Sequence, residues 1–256
     1  MTQLVELDPN IHGDLKLSCA APILFAQAQH LMGVRVTEID KAVSSFPVFF
    51  VRSAQTGTLS LTALTSFRAG ENLFIENQKW RATYTPVEMK IYPFSLVPSA
   101  NAEKGYALAA DLNSLALQTE SGEPLYEANK TESLYLSKIK ATLEAEIKNE
   151  ALTRQFLQEI DRLGLISPIV IELHFEGGAV EIINGLCTVA EEKLNSLADD
   201  LLMALNKKGY LLPLHAALIS LFQVNDLINR FNRKCQGLKI ENINLKLDRG
   251  TSGSFQ

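Results

Sequence analysis

Residues 70–93 read GENLFIENQKWRATYTPVEMKIYP, and the rest of the chain is organised around them. The stretch holds the only tryptophan, Trp80, with Phe74, Tyr84 and Tyr92 around it, Phe94 just beyond, and prolines at 86 and 93. Residues 73–75 form a short apolar run, 76–78 have the composition of a turn, and 79–84 alternate polar with bulky side chains. That order predicts a strand, a tight connection and a second strand. Aromatic rings bury roughly 150–250 Å² each, so a segment this rich in them is expected to anchor its neighbours. Pro86 and Pro93 have no N–H to give to a ladder, and residues 86–91 are expected to bend or cap it.

Upstream, residues 46–51 (FPVFFV) read as a buried strand and 58–67 as a half-buried one, with Leu59, Leu61 and Ala63 on one side. Thr56-Gly57 between them predicts an antiparallel hairpin. Residues 34–45 fit a helix with Thr37 at its N-cap and Ile39, Ala42 and Val43 on one face. Residues 20–32 read as a helix with Pro22 in the first turn, in competition with a strand over 23–26. The first sixteen residues suit a short strand or an extended arm. Downstream, 94–97, 106–112 and 115–118 read as further strands, the last ending in a turn at 121–124.

The pattern changes near Lys130. Apolar residues from Leu136 to Leu163 recur every three or four positions, which predicts an amphipathic helix over 134–163. Thr131 and Glu132 suit its start and Gly164 its end, and its length predicts a break near Asn149. Gly177-Gly178 joins 170–176 to 179–183 as a hairpin, and Asn184-Gly185 is expected to turn the chain. A helix over 191–205 follows, opened by Thr188 with Glu191 or Glu192 and closed by Lys207-Lys208-Gly209. Residues 211–233 read as a last helix, 239–247 as a strand, and 249–256 as a disordered tail. The expected class is α+β: a β-rich portion over 1–128 with the aromatic block, then a helix-dominated portion over 129–248 with its hairpin at 170–183.

The blocks GENLFIENQKW and YTPVEMKIYPF resemble the signature of the SapC family, a Gly-x-Asn-Leu-Phe turn, a Trp, then Tyr-x-Pro and Tyr-Pro-Phe. Residues 38–50, 184–197 and 209–221 resemble other parts of the same family, so the likeness runs from about Gly33 to Phe231. The resemblance implies a bacterial protein associated with S-layer gene clusters, near genes for outer-membrane receptors or halogenase-like flavoproteins. It implies no catalytic or metal-binding residue. A peptide-transporter permease shares the name; the apolar stretches 163–171 and 211–222 are interrupted and fall short of the roughly 18–20 residues of a span, so no transmembrane segment is expected.

A hydrophobic content of 46%, a charged content of 21% and a net charge of −5 suit a globular protein and leave no basic footprint for nucleic acid. The first ten residues, MTQLVELDPN, lack a signal-peptide pattern, and the three cysteines are widely spaced. The expectation is a cytoplasmic protein with reduced thiols.

Chemistry is sparse. His174-Phe-Glu176 has the His-x-Glu form of a weak metal candidate, against which stands a plain solvent-facing polar stripe. His215 suits a core or interface histidine. No Gly-x-Ser-x-Gly and no glycine-rich phosphate loop occurs, and no cofactor is predicted. Trp80, Arg81, Tyr84 and Tyr92, flanked by Arg68, Lys79 and Lys90, are the candidate stacking platform for a peptide, sugar or flavin ring. The competing reading is a core tryptophan with solvated charges beside it. The helix from Leu211 to Phe222 carries more leucine than one face needs, so it either runs through the interior or meets a protein partner or second subunit. Two functions compete: a binding or accessory protein, and a metal-dependent oxygenase or hydrolase built on the β-rich half.

Overall fold

Asn77 and Gln78 take left-handed φ of 52° and 58°. Glu76 pairs with Lys79 across them, which makes the connection a two-residue hairpin whose twist suits the strands it joins. The strands are shorter than the alternation suggests. Trp80 Nε1 donates to the Tyr84 carbonyl at 2.9 Å, which curls the chain away after Trp80.

The computed structural model describes residues 4–99 and 105–248; the tail expected at 249–256 lies outside them. In order come β1 (Leu4–Glu6), α1 (Pro9–His12), β2 (Lys16–Leu17), α2 (Ala21–Ala26) and β3 (Leu31–Gly33). A 3-10 turn at Val36–Glu38 leads into α3 (Ile39–Ala42), then β4 (Val48–Arg52) and β5 (Leu59–Leu64). The aromatic block supplies β6 (Ile75–Glu76), β7 (Lys79–Trp80) and α4 (Val87–Ile91), followed by β8 (Phe94–Pro98) and β9 (Tyr106–Asp111). β10 (Leu117–Gln118), β11 (Glu123–Pro124), α5 (Leu134–Arg162), β12 (Ile166–Phe175) and β13 (Val180–Val189) come next. The chain continues through α6 (Glu191–Asn195), α7 (Asp199–Lys207), α8 (Leu211–Ser220), a 3-10 turn at Leu221–Gln223, α9 (Val224–Lys234) and β14 (Ile240–Leu247).

The fold is α+β. Its centre is a six-stranded antiparallel sheet in the order β14-β12-β13-β4-β5-β3, which takes strands from both sides of residue 128. Val48, Phe49 and Phe50 are successive and all buried, so β4 is covered on both faces. α8 lies on β4 and β13, α5 on β5 and α9 on β14. A second core gathers Leu17, Phe94, Leu108 and Leu125 with the first half of α5. There β8, β9 and β1 form one small sheet, and β2 lies between β10 and β11 in another.

Several local expectations are corrected. α5 runs 29 residues without a break at Asn149. Leu136, Ile139 and Leu143 belong to the second core, and Phe156, Leu157 and Ile160 to the main one. The polar interval between them is an internal contact, not a hinge. Asn149 Nδ2 donates to Glu146 Oε1 at 2.6 Å, and Thr153 Oγ1 donates to the Asn149 carbonyl at 2.7 Å. The α5 N-cap is Ser133, whose Oγ accepts from the Leu136 N–H at 3.1 Å; Thr131 bonds to Asn129 instead.

Asn184-Gly185 does not turn the chain. Ile169 pairs with Leu186 and Ile171 with Ile183, so β13 carries one extra residue there, a bulge with Gly185 at φ 86°. Turn and bulge ask for the same left-handed glycine. Residues 87–91 form α4 rather than a bend, since Pro86 can precede a helix without losing a bond. The 191–205 helix is two helices, α6 and α7, and Asp199 and Asp200 start the second at its positive dipole end. Thr188 lies in β13 and caps nothing. The 34–45 helix begins as a 3-10 turn before the short α3, the 211–233 helix is interrupted by one, and 20–32 divides into α2 and β3.

Ser220 pins α8 to the sheet. Its Oγ accepts from the Val48 N–H at 2.9 Å and donates to the Ala217 carbonyl at 2.6 Å, both buried. Ser220→Ala leaves the Val48 N–H unpaired and is expected to cost about 1–3 kcal/mol in urea unfolding. A loss under about 0.5 kcal/mol, the range of a surface change, would contradict the pin.

Candidate functional site

Arg35 leaves β3 and enters the space between the two cores. Its Nε is 2.9 Å from Glu146 Oε2, its Nη2 2.9 Å from Glu150 Oε1, and its Nη1 3.6 Å from Glu88 Oε1. Glu146 and Glu150 stand one turn apart on α5, which is why both reach one guanidinium. Glu88 comes from α4 and also accepts from the Gly33 N–H at 3.1 Å. A Cβ at residue 33 would lie 2.3 Å from Glu88 Oε1, so glycine is what lets this carboxylate approach. Glu38 closes the cluster. It accepts from the Arg35 N–H at 3.0 Å, the Val87 N–H at 3.2 Å and the Tyr84 hydroxyl.

One cation thus faces three carboxylates, with a fourth, Glu38, on its backbone N–H, in a partly dry setting. Burial pushes the Glu88 pKa above the ordinary carboxylate value, although Arg35 and the Gly33 N–H pull the other way. The Tyr84 phenol is pushed well up, by burial first and then by its bond to Glu38. A guanidinium held by three side-chain acids, and a phenol held neutral, are groups that fix geometry. They are not a poised nucleophile or base.

The cluster borders two clefts. One, of about 560 Å³, is walled by Arg35, Glu88 and Glu146 on one side and by Phe25, Tyr92 and Phe94 on the other. The second, of about 640 Å³, lies towards β5 and the later turns of α5, and shares Arg35, Glu88 and Glu150.

The four platform residues divide between cores. Trp80 is partly buried, with ring centroids 5.9 Å from Phe46 and 6.0 Å from Phe74. Tyr84 turns to Glu38, with the Lys90 ammonium 5.4 Å from its ring centre. Arg81 is exposed, and its carbonyl accepts from Arg230 at 3.4 Å. Tyr92, of the second core, packs on Phe25 at 5.2 Å, accepts from Ser114 Oγ at 2.8 Å, and lines the first cleft.

His174 and Glu176 also separate. His174 Nε2 is 3.1 Å from Asn244 Nδ2 and 3.4 Å from Glu172 Oε2, on the polar face of β12 and β14. Glu176 lies beyond the end of β12 and accepts from the Lys239 N–H at 3.4 Å. Among the described residues no group of three His, Cys, Asp or Glu side chains is placed to share a metal.

Another feature is the outer side of α8. Pro213, Leu214, Ala216, Ala217 and Ser220 are buried, whereas Leu212, Ile219 and Phe222 are 65%, 64% and 77% exposed. With His215 these residues follow spacings of three, four and three, one stripe on one side of the helix. By length and composition residues Leu211–Lys234 would suffice to cross a membrane, which the interruptions in the apolar run had concealed; here the inner side packs on the sheet.

Sequence reading missed Arg35 and its acids altogether. Their one local sign is the pair Glu146 and Glu150, which interrupts the apolar stripe of α5.

A family model described as SapC matches residues 7–227. No curated protein and no solved structure matches.

The raised Glu88 pKa sets a pH dependence. A carboxylate raised in the folded state contributes stability that is full below its unfolded pKa and is lost as pH rises through the folded one. Glu88→Gln keeps an acceptor for Gly33 and removes that loss. Its stability relative to the parent is expected to grow as pH rises from the ordinary carboxylate range towards neutrality, followed by thermal unfolding. A difference that is flat or shrinks with pH would contradict the assignment.

Proposed function

The chain belongs to the SapC family, and on that premise we propose that it is a bacterial, cytoplasmic accessory protein of S-layer-associated systems that works by binding another protein. The observation that carries this reading is the exposed stripe of Leu212, His215 and Ile219 on α8, continued by Phe222 in the turn after it. Apolar side chains on a helix are favoured inside, and fully burying one contributes about 1.5–3 kcal/mol. Here three of them face outward in one line, with no charged residue among the four. Interface centres are depleted in charge and enriched in aromatic side chains such as Phe222, and a helix stripe entering an apolar groove is a recurring mode of recognition. The inner side of α8 is bonded to the sheet through Ser220, so the stripe is presented rigidly. Rigidity lowers the ordering cost of association.

The charged cluster supports the same reading. Its groups bond chiefly to one another, at a junction between cores.

Ile219→Glu with Phe222→Glu tests the stripe. The pair is expected to leave the circular dichroism and melting temperature nearly unchanged, because both side chains are exposed. Assembly, either with a second copy in light scattering or with a co-purifying protein, is expected to weaken on the order of a hundredfold. A parent protein that stays monomeric and captures no partner, or a variant that assembles equally well, would overturn the proposal. So would a variant that unfolds, since that would place the stripe inside the fold.

A further inference from the structure

Where β12 begins and β13 ends, the sheet is not covered to its edge. Ile169 pairs with Leu247 and Ile171 with Leu245, so these four share one face of the sheet. Ile169 and Ile171 are buried there, but Leu245 is 38% and Leu247 52% exposed. Leu218 and Leu221, from α8 and the turn after it, stand opposite. The space between is a groove of about 610 Å³. Small-molecule sites commonly span about 300–1,000 Å³.

Polar groups collect at one end of this groove. Ser167 and Thr188 are direct partners in the ladder, so their side chains point the same way. Thr188 is only 8% exposed, and its Oγ1 is buried with no hydrogen-bond partner among the described residues. An unpaired buried hydroxyl is costly, and native structures rarely keep one without a reason. The Lys193 ammonium rests over Gly164 at the same end; a Cβ on Gly164 would be 2.4 Å from its Nζ. Among the described residues Lys193 has no acidic partner.

We propose that the groove binds the monocarboxylate of a free medium-chain fatty acid. The chain lies against Leu218, Leu221, Leu245 and Leu247, and the carboxylate meets the Lys193 ammonium. The Ser167 hydroxyl donates to it, and so does Thr188 after a turn about its Cα–Cβ bond carries Oγ1 to the groove. Glu191 and Glu192 stand on the same rim, so a head group with a second negative charge is rejected.

Titration calorimetry with decanoate, kept below the concentration at which it forms micelles, tests the site on the full chain. Saturable binding at one site per chain is expected, weakened about tenfold or more by Lys193→Gln. Thr188→Val, which keeps the shape and removes the hydroxyl, is expected to weaken decanoate several-fold while raising the melting temperature of the free protein. Decyl phosphate and decyltrimethylammonium are expected to bind about tenfold more weakly than decanoate, or not at all. No saturable binding up to about 1 mM would overturn the proposal. Equal binding of the cationic amphiphile, or of decanoate by Lys193→Gln, would overturn it too. Lys193 is exposed, so its variant carries the test should Thr188→Val fail to fold.

Discussion

Two rungs of antiparallel pairing, Phe50 with Cys187 and Val51 with Leu186, join the early hairpin β4–β5 to the late strands β12, β13 and β14. The partners are distant in sequence, and the main core has no single sheet without them. β4 is apolar on both faces, so its own pattern does not choose a register. The bulge at Asn184-Gly185 does. The extra residue decides which face Leu186 and Val189 present when β13 reaches β4, and both are buried there. α8 then covers both strands of the seam, and Ser220 bonds to the first residue of β4. A buried inner side on α8 leaves Leu212, Ile219 and, in the turn after it, Phe222 outside, so the exposed stripe follows from how the seam is covered.

α5 connects this core to the smaller one. At 1.5 Å per residue its 29 residues span about 43 Å, more than either core alone requires. Its ends are apolar towards different cores, and its middle carries the acids that hold Arg35. The junction between cores is therefore polar where a continuous core would be dry, and clefts open on both sides of it. Glu38 ties Arg35, Val87 and Tyr84 together, so the aromatic block is held through its hydrogen bonds as well as its rings.

Much of this was legible in residue spacing. Alternation located the β4–β5 hairpin and β14, paired glycines located the turn between β12 and β13, and a glycine marked the end of α5. What escaped was whatever depends on residues far apart in sequence. A break in α5 was expected from length alone, because the cation that its middle acids hold is more than a hundred residues away. Asn184-Gly185 looked like a turn because bulges and turns use the same backbone conformation. Trp80 and Tyr92 looked like one platform, but α4 lies between them and delivers each to a different core. The surplus of leucine in α8 was visible, whereas the identity of those facing outward required the sheet beneath it.

The most direct test of the single-sheet account is native-state hydrogen exchange at the seam. If β4 and β13 form one cooperative unit, the protected amides of Phe50, Val51, Leu186 and Cys187 exchange with one common free energy, equal to that of global unfolding. Exchange of β12, β13 and β14 through a separate, lower-energy opening that leaves β4 and β5 protected would contradict it.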